Sequence, residues 1–184
     1  ARSYLDINPL GTVPAFSQDG IRMTESVAIC QYLAAQYSAG NLDVSVNEPG
    51  YGAYLNFLHF GEATLTFPQT LVLRYTHFEV GERRQPQVAE DYGKWFLARL
   101  RTLDPLLAKQ EYLCAGRFTA ADISVGYALL LAQHLGLDKR FTSAVSTYWE
   151  RLQARPAYQA AMSAQAAVAS AQGVATIPSP DIRP

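Results

Sequence analysis

Asn8-Pro9-Leu10-Gly11-Thr12-Val13-Pro14-Ala15-Phe16, then Ser17-Gln18-Asp19-Gly20, then Ile21-Arg22-Met23-Thr24-Glu25-Ser26-Val27-Ala28-Ile29, sets the architecture of this chain. Asn-Pro and Leu-Gly mark a loop, Val13 to Phe16 reads as a short apolar strand opened by a proline, and Gln18-Asp19-Gly20 turns the chain back. A second strand from Ile21 feeds a helix, because Val27, Ile29, Tyr32, Leu33 and Tyr37 recur at helical spacing. Thr24, Glu25 and Ser26 supply capping and acidic side chains where a helix N-terminus favours them. The expectation is a β-hairpin followed by a helix with a polar, anion-receptive start. Taken singly, Pro14 is also readable as a trans edge-strand proline, Ser26 as a plain helix cap and Glu25 as a solvated first-turn charge.

Working outward, Arg2 to Ile7 reads as the tail of a helix or a loop, so the sequence opens in the middle of a unit. A hairpin with one helix is marginal alone. From Ser38 to Pro49 the composition shifts to Gly, Asn, Asp, Ser and Pro without periodicity, which reads as a linker. Every later segment reads as helix. The first starts at Pro49 or Gly50, carries Tyr51, Tyr54, Leu55, Leu58, Leu65 and Val72 as apolar positions, and is expected to kink at Pro68. Val88, Tyr92, Trp95, Phe96, Leu100, Leu103 and Leu107 continue at helical spacing, with Pro105 bending the last turns.

A second motif is Tyr112-Leu113-Cys114-Ala115-Gly116-Arg117-Phe118-Thr119-Ala120-Ala121-Asp122-Ile123. Thr119 fits the N-cap and Asp122 the third helical position, so the two form a capping box, with Phe118 and Ile123 placed as a hydrophobic staple. Ile123, Tyr127, Leu130, Leu131 and His134 line one face of the helix that follows, expected to be the most buried. Phe141, Val145, Tyr148, Trp149 and Leu152 give the next, ending near Arg155-Pro156. Ala157 to Gln172 adds an alanine-rich helix, and 173–184 is a proline-rich tail.

Composition bounds the chemistry. The chain has 184 residues, 49% of them apolar, a net charge of −1 and 17% charged residues, so no global field recruits nucleic acid or an anionic membrane. Cys30 and Cys114 show no metal or CxxC spacing and read as buried free thiols in a reducing compartment. His59, His77 and His134 are too far apart for a local metal motif, and serine-hydrolase, zinc-protease and nucleotide signatures are missing. No apolar run is long enough to span a bilayer and no leader is recognisable. A soluble cytoplasmic protein without metal, nucleic-acid or membrane partners is expected.

The two motifs together resemble the cytosolic glutathione transferases, of bacterial type. The resemblance covers the whole chain apart from the tail. It implies an α/β plus all-α protein: 1–38 as the second half of a thioredoxin-like domain, 39–49 a linker, and 50–172 a C-terminal all-α helical bundle. A βαβ unit carrying the serine, tyrosine or cysteine that activates the glutathione thiol is implied upstream, outside this sequence. In the family Pro14 is cis, and the residue before it, here Val13, offers its backbone N–H and C=O to the cysteinyl unit. Glu25 and Ser26 grip the γ-glutamyl end. Thr12 stands where many relatives carry a basic residue. The first helix of the all-α part lines the electrophile pocket, which nominates Tyr54, Phe57, Leu58 and Phe67. The implied activity is conjugation of the glutathione thiolate to an electrophilic, mostly apolar small molecule, a detoxification reaction, by a homodimer with glutathione as co-substrate. Two alternatives stay open: a glutathione-dependent isomerase, dehalogenase or ether-cleaving enzyme, and a non-catalytic adaptor.

Overall fold

The computed structural model describes residues 2–174; Ala1 and the greater part of the proline-rich tail, 175–184, lie outside them. A short helix α1 (Arg2–Leu5) precedes the antiparallel hairpin β1 (Phe16–Gln18) and β2 (Ile21–Met23), and α2 (Ser26–Tyr37) follows. The hairpin closes at Asp19 and Gly20, both at positive φ (49° and 81°), the conformation a two-residue turn needs to match the twist of its strands. The apolar strand sits later than the sequence suggests, starting at Phe16 rather than Val13. Phe16 pairs with Met23 and Gln18 with Ile21, so Val13 to Ala15 run beyond the end of the ladder.

No helix or strand is assigned between Ser38 and Gly50, yet this segment is strapped down. Val44 is buried, the Ala120 N–H donates to the Leu42 carbonyl at 2.8 Å, and Arg117 reaches Glu48 with both terminal nitrogens (3.0 and 3.1 Å) and the Asp43 carbonyl at 2.8 Å. The bonds from Arg117 hold the Glu48 carboxyl below its usual range.

The helical part comprises α3 (Tyr51–His59), α4 (Phe67–Leu73), α5 (Pro86–Leu100), α6 (Asp104–Leu107), α7 (Ala120–His134), α8 (Ser143–Gln153) and α9 (Pro156–Ala171). The single kink expected at Pro68 is replaced by a wider π-helical stretch over Phe60–Thr66. The reason is visible in the hydrogen bonds. The Phe67 N–H reaches back five residues to the Glu62 carbonyl, Pro68 has no N–H to give, and the Leu58 carbonyl is taken by the Ser124 hydroxyl at 2.7 Å. Gly61 lies against Ser124 at this crossing, where a Cβ would come within 2.7 Å of the Ser124 carbonyl oxygen.

The capping box at Thr119 and Asp122 is present. Helix α7 carries nine buried residues, but the face they form is Ala121, Ser124, Val125, Ala128, Leu129 and Ala132. Ile123 and Tyr127 are 39% and 58% exposed. Small side chains face inward because α3 and the π-helical stretch press closely on α7. One core gathers Leu65, Phe96, Leu100, Leu113, Val125, Leu129, Tyr148 and Leu152; a second joins Val27 and Ala34 of α2 to Val44, Tyr54, Leu58 and Cys114.

Two substitutions test this packing. Gly61→Ala forces the α3–α7 crossing apart and is expected to cost about 2 kcal/mol or more in urea unfolding, whereas Gly126→Ala, which meets only the flexible end of Leu152 at 3.2 Å, costs less. Asp122→Asn replaces an acceptor of four bonds by a group half of which donates, and loses about 3 kcal/mol in the same measurement. Equal midpoints for Gly61→Ala and Gly126→Ala would show that the crossing is not sterically set.

Candidate functional site

The ladder's register decides what stands at its open end. Because Phe16 opposes Met23, the chain entering through Thr12, Val13 and Pro14 and the chain leaving through Thr24, Glu25 and Ser26 emerge side by side. All five residues nominated for glutathione, Thr12, Val13, Pro14, Glu25 and Ser26, are exposed. The Val13–Pro14 peptide is cis, as the resemblance implies. Val13 is 80% exposed, and its backbone N–H and C=O have no hydrogen-bond partner among the described residues.

Helix α2 starts without the side-chain cap that Thr24, Glu25 and Ser26 lead one to expect. Glu25 occupies the N-cap position with extended backbone (φ −86°, ψ 116°) and makes no capping bond, and Ser26 is the first helical residue. The first ladder bond runs from the Ile29 N–H to the Glu25 carbonyl at 2.9 Å. The N–H groups of Ser26, Val27 and Ala28 therefore have no intrahelical acceptor, and the partial positive charge of the helix start is open to an anion.

The loop that presents Val13 is built by a residue whose role the sequence only hinted at. Asn8 is buried; its amide donates to the Thr12 carbonyl at 2.7 Å and its Oδ1 accepts the Leu10 N–H at 3.1 Å. The Tyr4 hydroxyl donates to the same Thr12 carbonyl at 2.7 Å. The signal was the Asn-Pro pair, since asparagine fixes a turn by binding backbone two residues on. Arg22, on β2, closes the other side through the Ile7 carbonyl at 2.9 Å.

Of the four residues nominated for an electrophile, Tyr54 and Leu58 are fully buried and face the core rather than any co-substrate. They lie on the α3 stripe that packs against α7. Phe57 is half-buried against Phe60, and Phe67 is 54% exposed. The Tyr54 hydroxyl has no hydrogen-bond partner, and burial beside Asp43 pushes its pKa well up. Burial likewise raises the Cys30 and Cys114 thiols, neither of which is disulfide-bonded. Among the described residues no cluster of His, Cys, Asp and Glu could hold a metal, and no helix is long and apolar enough to cross a membrane.

Residues 1–41 match the family of glutathione S-transferase N-terminal domains. Over 162 residues the chain is 30% identical to glutathione S-transferase stcT of Emericella nidulans, covering 83% of this chain and 70% of that protein. It is 33% identical over 131 residues to glutathione S-transferase hmp2 of Hypomyces subiculosus, covering 65% of this chain but spanning only 59% of that relative's length. Among solved structures, a sphingomonad glutathione S-transferase complexed with glutathione superposes with a TM-score of 0.75 at 26% identity, over 88% of this chain and 77% of that one.

Asn8→Ala removes both side-chain anchors of the presenting loop. It is expected to cost about 1–2 kcal/mol and to speed amide exchange at Leu10 while leaving α7 amides protected. Unchanged exchange at Leu10 would mean the loop is held by other contacts.

Proposed function

The chain belongs to the glutathione S-transferase family, and from that premise we propose that it binds glutathione at the open end of the hairpin, where the tripeptide's thiolate is transferred to an electrophilic, mostly apolar small molecule. The observation that carries this reading is the uncapped start of α2 beside the unpaired backbone of Val13. Such a helix start holds a carboxylate through backbone N–H groups, to which Ser26 adds a hydroxyl. Glu25 pairs with the γ-glutamyl ammonium. Val13 offers one donor and one acceptor to the cysteinyl unit, and Pro14 fixes the strand that presents them. Thr12 points no cation at the peptide, so the grip on the ligand comes from the γ-glutamyl end.

The chemical difficulty is ionisation. A thiol of pKa about 8.5 is only a few per cent thiolate at neutral pH, so a donor must favour the anion. On this reading a serine, cysteine or tyrosine supplies it from the βαβ unit that precedes this point in the family, and residues 1–38 hold and orient the tripeptide. Residues 50–172 form the helical domain beyond the 39–49 linker, with Phe57 and Phe67 as the aromatic surface nearest in kind to an electrophile pocket. A two-fold dimer, a cytoplasmic location and a detoxifying role belong to the same proposal and rest on family membership.

Thermal unfolding in glutathione tests the binding step. At a concentration a hundredfold above Kd the folded state gains about 2.7 kcal/mol, which for a chain of this size raises Tm by roughly 5–10 °C. Glu25→Gln is expected to weaken binding about tenfold with little change in Tm without ligand. No shift at millimolar glutathione would overturn the proposal and favour the adaptor; a shift without turnover of generic electrophiles would favour the isomerase, dehalogenase or ether-cleaving alternatives.

A further inference from the structure

The outward face of α7 does not meet solvent evenly. Ile123, Tyr127 and Leu130 form one wall of a half-enclosed cavity of about 450 Å³, closed by Trp149 of α8 and by Tyr158 and Met162 of α9. This is within the size range of small-molecule sites, and its lining is aromatic and aliphatic as such sites are. Its polar members are already engaged: the Trp149 indole N–H donates to Gln133 Oε1 at 3.1 Å, and the Asp122 carboxylate is occupied by Thr119, Leu113 and Tyr148. Arg155 is different. Its guanidinium rests 3.5 Å over the Phe118 ring at the rim and, among the described residues, forms no ion pair or side-chain hydrogen bond. None of Thr12, Val13, Pro14, Glu25, Ser26, Phe57 or Phe67 lines the cavity.

We propose that this cavity binds an amphipathic organic anion, a hydrocarbon body seated against Ile123, Leu130 and Met162 with a carboxylate on the Arg155 guanidinium. The charge at the rim selects the class. A neutral apolar molecule would leave the one uncommitted polar group of the site unanswered, whereas a carboxylate meets a planar donor already held in place by Phe118. The site is separate from the proposed glutathione edge and does not depend on it.

The chain has two tryptophans, Trp95 and Trp149, so a Trp95→Phe background leaves Trp149 as the sole reporter. Dodecanoate, titrated below its micellar concentration, is expected to quench it saturably and to bind at least about fivefold more tightly than dodecanol. Arg155→Gln should weaken dodecanoate about tenfold and dodecanol by less than about twofold, and Ala161→Phe, which fills the cavity from α9, should abolish both. Glutathione-dependent shifts in Tm should be the same in all these variants. The proposal is overturned if neither ligand gives a saturable response, the result expected where a peptide segment or a second copy occupies the groove. It is equally overturned if dodecanoate shows no preference over dodecanol in the Trp95→Phe protein.

Discussion

The helical part of this protein is assembled on one buried carboxylate. Asp122 accepts hydrogen bonds from the Thr119 N–H at 2.8 Å, the Thr119 hydroxyl at 3.2 Å, the Leu113 N–H at 3.1 Å and the Tyr148 hydroxyl at 2.8 Å. Taking a carboxylate out of water is costly unless such donors meet it. Burial pushes the Asp122 carboxyl up from its ordinary range, and the bonds from Thr119, Leu113 and Tyr148 pull against that. The donors belong to the loop before α7, to the start of α7 and to α8, so the one group fixes three segments. With the start of α7 pinned, the rest of the helix follows in register. Ser124 reaches the Leu58 carbonyl, and the buried Gln69 amide bridges the Leu65 and Ala128 carbonyls at 3.0 Å each.

The molecule uses the same physics in opposite ways at two helix starts. At α7 the free donors are satisfied from within, by a box that leaves nothing for a ligand. At α2 a carboxylate and two hydroxyls stand near the first turn, yet none caps it. Its N–H groups remain available, and they lie where the hairpin's register brings the Val13 backbone alongside. Asn8 and Tyr4 stiffen the approach by converging on the Thr12 carbonyl. A filled cap builds a core; an unfilled cap on an exposed edge is a place to bind.

Much of this could be read without coordinates. The hairpin turn at Asp19-Gly20, the start of α2, the capping box and the order of the helices all rest on interactions within a few residues, which local sequence encodes. The errors share a cause. Val13 to Ala15 have strand-forming character but lack a partner strand in the ladder, so pairing begins at Phe16. Pro68 was expected to break a helix locally; the distortion instead spreads over a π-helical stretch, because the Ser124 hydroxyl from a distant segment takes the Leu58 carbonyl.

What the sequence determined by itself was periodicity, capping chemistry and turn conformation, and through them the element order and the family. Which face of an element is covered was decided by tertiary structure. Helix α7 is apolar nearly all round, so spacing could not say whether its large or its small side chains turn inward. The close approach of α3 chose the small ones, which left Ile123 and Tyr127 outside and buried Tyr54 and Leu58 that a pocket would have needed. Close packing is a contest between surfaces far apart in the chain, and its outcome is fixed by shape at the contact.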